Sequence, residues 1–397
     1  MKEMTPRERY VAASNHRPVD RLPLDMTFSI GAYNSLARYL GDLPVVSECG
    51  TNCNVYPDVS FYKKMGIDVM YLLIGSPSTV TPFHYGDDSF TTEFGFIYKK
   101  IVLPNGELDY EISNVPMKGF EIEDWEAFPW PDPEDPQIHA TLKERAKAVM
   151  EQEDMALGGY FNASIFTMPS LMIGMEEFLY RLAAEEEYAC YIMNRFTDYY
   201  IRLYNRALDE CGQYLTFLRI DMDDFGTQNG LFISREMFNR LVRPYEERLC
   251  SEVKKHFLKY NPEGLIMKHT CGDVTELLPD FAGMTIDVLN PIQARTRSMR
   301  RELVYEKAGG KLAFMGAIDT QHIMVRGTVR DVYEDVRDAI AKLAPDGTGY
   351  IIGPSHHLQS DIPPENMLAM RDAAHRYGRI VNGRPCIQPE YRIGISG

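Results

Sequence analysis

Apolar runs in this 397-residue chain stop well short of the roughly 18 residues that a membrane span requires. The opening stretch, MKEMTPRERYVAASNHRPVDR, carries charges where an export signal needs an apolar core. Neither membrane insertion nor export is expected. Cysteine is scarce: Cys49, Cys53, Cys190, Cys211, Cys250, Cys271 and Cys386 form an odd, dispersed set, unlike a disulfide scaffold, and fit a reducing cytoplasm. Cys49 and Cys53, four apart with no partner pair, read as ordinary thiols. Positive charge is in deficit, 42 basic against 57 acidic residues for a net −15, so no general basic surface is available for nucleic acid or an anionic membrane. GxxxxGK[ST], strand-linked GxGxxG and GxSxG are also missing, and with them the usual handles of phosphoryl transfer, dinucleotide redox and serine hydrolysis.

What is present is ordinary globular material, 45% apolar and 25% charged, ample for a core. Thr5-Pro6-Arg7-Glu8 reads as a capping box opening a helix to about Asn15. Short β-rich runs follow at 21–26, 67–73, 154–161, 214–220, 264–268, 286–290, 312–318 and 348–353. Between several of them lie stretches of helical period, such as 234–258, 273–283, 328–343 and 364–380. This alternation predicts an α/β fold, a single TIM (β/α)8 barrel over residues 1–397 with an N-terminal helical extension. An insertion at about 80–136 falls between strands 2 and 3. It contains Asn105-Gly106 between alternating apolar residues, a hairpin signal, and ends in the proline-rich connector PWPDPEDP. The hairpin is placed to cover the barrel mouth, although a passive surface loop would carry the same signal.

Barrel enzymes collect their chemistry where strands end. The residues just beyond the eight runs are Asp25; Asn162; Asp221, Asp223 and Asp224; His269 and Cys271; Asn290 and Gln293; Asp319; and His356 with His357. His269 and Cys271 stand two apart, so on an extended strand end both point the same way and can reach one ion; zinc accepts that mixture. A third ligand is needed, with His356 the first candidate and an aspartate from 221–224 the second. Asp221 and Asp223 share one side of an extended chain, where close carboxylates hold one proton between them; they are the candidate catalytic acid–base pair, and could equally bind substrate hydroxyls or help hold a metal. The string DMDDFGTQNG is not a calcium loop, because Phe232 stands where a bidentate glutamate is required. Adjacent histidines on extended chain point opposite ways, so only one of His356 and His357 is expected at the axis. Asp25, Asn162, Asp224, Gln293, Asp319 and His357 are the candidate substrate-binding residues.

The segments MTPRERYVAASNHRPVDRLPLD, DDFGTQNGLFISREMF, HTCGDVTELLPDFAGMTIDVLNPIQ, GAIDTQ and GYIIGPSHHLQSDIPPENMLAMRDAAHRYG together resemble the uroporphyrinogen decarboxylase superfamily in order and spacing. That resemblance implies a TIM barrel and two branches of activity, decarboxylases and corrinoid-linked methyltransferases. The decarboxylase pattern places an arginine-rich RQAGR element after the first strand, where this chain reads DMTFSIGAYN with no arginine. The methyltransferase branch carries a His-x-Cys zinc pair, matched by His269 and Cys271, completed by a distant cysteine for which GPSHHLQ offers His356. The resemblance therefore implies a zinc-dependent methyltransferase that moves a methyl group between a small substrate, such as a methoxylated aromatic in O-demethylation, and a corrinoid (cobalamin) carried by a partner protein. A homodimer is left open. A decarboxylase of another carboxylated substrate and a non-catalytic corrinoid- or tetrapyrrole-binding protein are the alternatives.

Overall fold

Thr5 caps the first helix, Pro6–Ser14, as a full capping box, with Glu8 returning the bond to the Thr5 N–H at 2.9 Å. A computed structural model of the chain describes residues 3–161, 163–220 and 223–387. Two short strands come first, β1 (Phe28–Ser29) and β2 (Asn54–Val55), paired antiparallel. The main sheet is built from β3 (Val69–Leu73), β7 (Ala156–Tyr160), β8 (Phe217–Ile220), β9 (Leu265–His269), β10 (Val288–Ile292), β11 (Ala313–Ile318) and β12 (Tyr350–Pro354). All seven are parallel and neighbours in chain order, with helices between most of them. The insertion supplies β4 (Ser89–Thr91), β5 (Ile97–Val102) and β6 (Leu108–Ile112), an antiparallel sheet of their own.

The expected first barrel strand, 21–26, does not form a regular ladder, and the reason is local. Pro23 has no N–H to give, and the Leu24 N–H is taken by the Asp68 carboxylate at 2.8 Å. The segment still closes the ring. Ile352 N–H donates to the Pro23 carbonyl, Asp25 N–H to the Ile352 carbonyl, and Asp68 N–H to the Leu24 carbonyl, at 2.8 to 2.9 Å. Both edges of the seven-stranded sheet are thereby joined through residues 23–25. Another expectation also shortens: of 273–283, only Leu278–Phe281 is helical, because Asp273 ties Thr275 and Ser298 into a loop.

Alternate residues of the strands fill the barrel interior. Val69, Ala156, Phe217, Leu265, Met267, Val288, Ala313, Met315 and Ile351 form one apolar cluster with Tyr10. Tyr10 stacks on Phe217 with ring centroids 4.7 Å apart, so the first helix plugs the lower end. Gly158 leaves room for that ring: a Cβ there would lie 2.2 Å from Phe217. Continuing the same alternation upward, Arg219 follows Phe217, His269 follows Met267, and Asn290 follows Val288. The interior thus changes from apolar to polar toward the C-terminal ends of the strands, where barrel sites form.

The insertion folds as three strands rather than a bare hairpin. Gly106, at φ +85°, makes the turn that an L side chain would strain. The tip reaches over the rim, where Asn105 Nδ2 donates to Ser360 Oγ at 2.7 Å. Among the described residues no helix is long and apolar enough to cross a membrane.

Candidate metal and substrate site

β9 delivers His269 at its end and Cys271 two residues on. Cys271 Sγ lies 3.4 Å from His269 Nε2. Two ligands at zinc–nitrogen and zinc–sulfur distances on a tetrahedron stand about 3.5 Å apart, so the pair fits one ion without movement. The loop carrying Cys271 is held against the loop after β8 by a backbone contact only glycine permits. A Cβ on Gly272, which sits at φ +86°, would lie 2.1 Å from the carbonyl of Gly226. Bonds from Gly226 N–H to the Cys271 carbonyl and from Asp273 N–H to the Thr227 carbonyl zip the two loops together.

That zipper brings in Asp224. Its Oδ1 accepts from Cys271 N–H at 2.7 Å, and its own N–H donates to Thr167 Oγ1. Among the described residues, Asp224, His269 and Cys271 are the one trio whose ligand atoms lie within 4.8 Å of one another, all partly exposed. His356, the first candidate for the third position, lies outside the trio, whose third member is of the second candidate type, an aspartate. A metal ion held by these three would keep a fourth position for water or substrate, as catalytic zinc sites do.

His269 is oriented from its other nitrogen. Nδ1 lies 2.7 Å from Asn290 Oδ1 and 3.0 Å from an Arg219 nitrogen. With Nδ1 donating to Asn290, the Nε2 lone pair faces Cys271, as metal binding requires; the Arg219 N–H, which can only donate, competes for the same Nδ1. Arg219, 4% exposed, lies over the Tyr160 ring at 4.5 Å. Sequence reasoning passed over it, although an arginine two residues beyond Phe217 on an apolar strand was a legible signal.

A cavity of about 20 Å3 lies beside the trio, walled by Asp25, Tyr71, Arg219, His269, Asn290, His356 and His357 among others. That volume holds one or two waters, so a substrate enters only if side chains at the mouth move. Both histidines line it, against the expectation of one: the chain bends after Pro354, the extended alternation ends, and the rings meet edge to face with centroids 5.4 Å apart. Burial pushes the Asp25 carboxyl up to about 7, with the Arg219 charge and the Tyr71 hydroxyl pulling the other way.

The other expected residues lie elsewhere. Asp223 is fully buried and accepts from Ser164 Oγ and from the N–H groups of Ile165, Phe166 and Thr167, at 2.7 to 2.9 Å. It organises the loop after β7 and does not line the cavity, away from the place expected of an acid–base residue. Behind it, fully buried Lys268 pairs with Glu246 at 2.8 Å and lies 3.7 Å from Asp223. Burial raises Glu246 to about 8, with the Lys268 charge opposing. Gln293 fastens loops, accepting from Gly272 N–H and donating to the Ser355 carbonyl. Asp319 accepts from Gln321 and His322 N–H groups and pairs with Arg295 at 3.2 Å. Gln293 and Asp319 border a second small cavity, apart from the trio. Asp221 and Asn162 lie outside the described residues. A cleft of about 490 Å3 along the helix Val329–Leu343 is lined by five basic and five acidic side chains, several paired with one another.

The family model described as Uroporphyrinogen decarboxylase (URO-D) matches residues 107–377. The chain belongs to the uroporphyrinogen decarboxylase family. A curated relative, the methylated-thiol–coenzyme M methyltransferase of Methanosarcina mazei, is 26% identical over 204 residues, 51% of this chain and 49% of the relative. The chain thus matches about half the length of that relative. Among solved structures, a methyltransferase from Methanosarcina mazei aligns over 94% of this chain and 99% of its own, with a TM-score of 0.66 at 15% identity. That likeness is one of fold, and it agrees with the closed α/β ring described above. Within the family, the chain is related to methyltransferases.

Proposed function

We propose that the chain is a zinc-dependent methyltransferase that moves a methyl group between a small substrate and a corrinoid protein. The observation that carries this reading is the trio Asp224, His269 and Cys271 at the C-terminal mouth of the barrel, mutually within 4.8 Å and partly exposed. Zinc held there would stabilise negative charge on the heteroatom that loses or gains the methyl group. Cys271 supplies the one thiolate, His269 one imidazole nitrogen and Asp224 a carboxylate oxygen. A single thiolate leaves the ion a harder Lewis acid than two would, which favours a methylated oxygen, as in a methoxylated aromatic compound, over a thiol. The remaining residues position: Asn290 sets the His269 tautomer, Asp223 holds the loop beside Asp224, and the Asn105 tip braces Ser360 on the rim.

Decarboxylation of a polycarboxylate is disfavoured by the cavity. Arg219 is the one arginine or lysine lining it among the described residues, too little positive charge for a substrate with many carboxylates.

Zinc content of the purified chain tests the proposal. We expect near one zinc per chain, lost in Cys271→Ser and in Asp224→Ala and retained in His356→Ala. A freshly prepared, unchelated protein without zinc would sink the metal mechanism, and retention in Asp224→Ala with loss in His356→Ala would restore the histidine as ligand.

A further inference from the structure

Asp25 is the one carboxyl group among the described residues that line the cavity beside the trio. It is 5% exposed, and its Oδ1 is buried with no hydrogen-bond partner. A buried acceptor left open is costly. The acid form, which can donate as well as accept, is the one burial favours. The groups facing it come from every side: Arg219 from β8, Tyr71 from β3, Tyr10 from the plugging helix, Tyr62 from the helix Val59–Met65, and His269, His356 and His357 around the cavity. Arg219 keeps its positive charge throughout and stabilises the carboxylate once the proton has left. The other buried acids nearby are committed, Asp223 to four donors and Glu246 to Lys268, and neither lines the cavity.

We propose that Asp25 is the proton donor to the heteroatom that loses its methyl group, and the proton acceptor in the reverse direction. This rests on the methyl-transfer reading above. In the forward direction the carbon–heteroatom bond breaks and its electron pair stays on the heteroatom. The methyl carbon bonds to the electron pair of the acceptor, a two-electron nucleophile of the reduced-corrinoid class, and the heteroatom takes the proton from the Asp25 carboxyl. Asp25, now a carboxylate, regains a proton from solvent by way of His357 and the exposed His356.

The test compares two donors on the zinc-loaded full chain with free cob(I)alamin as acceptor, the loss of the cob(I)alamin spectrum being followed. A methoxyphenol departs as a phenolate and needs a proton; a methylsulfonium compound departs as a neutral sulfide and does not. We expect Asp25→Asn to slow the methoxyphenol about 100-fold and the sulfonium donor less than about threefold, with Asp25→Glu recovering part of the loss. Zinc content and thermal melting of the Asn variant verify its fold; if it does not fold, Asp25→Glu is judged by the same donor ratio. An equal loss with both donors, or none with either, overturns the proposal while methyl transfer stands. A parent that demethylates the sulfonium but no methoxyphenol overturns it too. A parent that moves methyl from neither donor removes the methyl-transfer reading and this one with it. Independently of turnover, the metal-free parent minus Asp25→Asn infrared difference should contain a protonated-carboxyl band below about pH 7, and its absence overturns the assignment.

Discussion

Neighbouring residues on the same two segments build two centres of opposite character. Asp223 and Lys268 point outward into the helix layer, where with Glu246 they make a dry, fully enclosed charge cluster. Asp224 and His269, one position further along each segment, turn to the mouth and with Cys271 make a partly exposed trio. The first centre satisfies its charges internally: Asp223 has four donors, and Lys268 sits between two acids. In the second the partners come from the mouth itself: Asp224 accepts from the Cys271 N–H, and His269 meets Asn290 and Arg219. Enclosure in the helix layer against a place at the barrel mouth, not the presence of charge, separates the two centres.

Breaking the enclosed centre should have the largest effect. Lys268→Met strands Asp223 and Glu246 in a dry layer, and we expect a loss of about 3–5 kcal/mol in urea unfolding. A loss below about 1 kcal/mol would mean that Glu246 alone takes up the change by staying protonated. The open centre should respond through ligand affinity instead. Asp224→Asn keeps the bond to the Cys271 N–H but removes the anionic ligand, and zinc affinity in competition with a chelator should fall by about 100-fold or more. Asn290→Ala should cost about tenfold in the same titration, because the imidazole loses the partner that fixes its tautomer.

The smallest effect is one of slope. Glu246 holds its proton in the folded chain up to about pH 8, whereas the unfolded chain releases it near the ordinary carboxylate value of 4.5. Unfolding between those values therefore releases a proton, and stability falls as pH rises across that window. Glu246→Gln should flatten this decline in thermal melts, leaving the part that Asp25 contributes up to about pH 7. An unchanged slope would show that Glu246 is ionised in the folded chain.

Strand positions were legible because parallel barrel strands are buried on both faces and read as short apolar runs. Seven of the eight runs became strands, and the eighth lost its ladder to Pro23 and the Asp68 side chain. His269 and Cys271 were legible because a spacing of two on a strand end fixes a common direction. The aspartates were harder. Beyond a strand end the alternation no longer holds, so nothing local distinguishes Asp223, turned inward to four donors, from Asp224, turned to the thiol. The histidines misled for the same reason: a bend after Pro354 brings both to the cavity. Arg219 was missed because attention fell on residues after the strands, while this one lies inside the barrel, one residue from the end of β8.

The sequence by itself determined the alternation of strands and helices, the capped first helix, the hairpin turn at Asn105-Gly106 and the His-x-Cys pair, because each depends on contacts or periodicity within a few residues. Only the tertiary structure decided the third member of the trio, the partners of Asp223 and Lys268, and the burial of Asp25. The trio depends on how close the loops after β8 and β9 approach, which Gly226 and Gly272 permit by having no side chains; the others depend on which distant segments meet across the barrel.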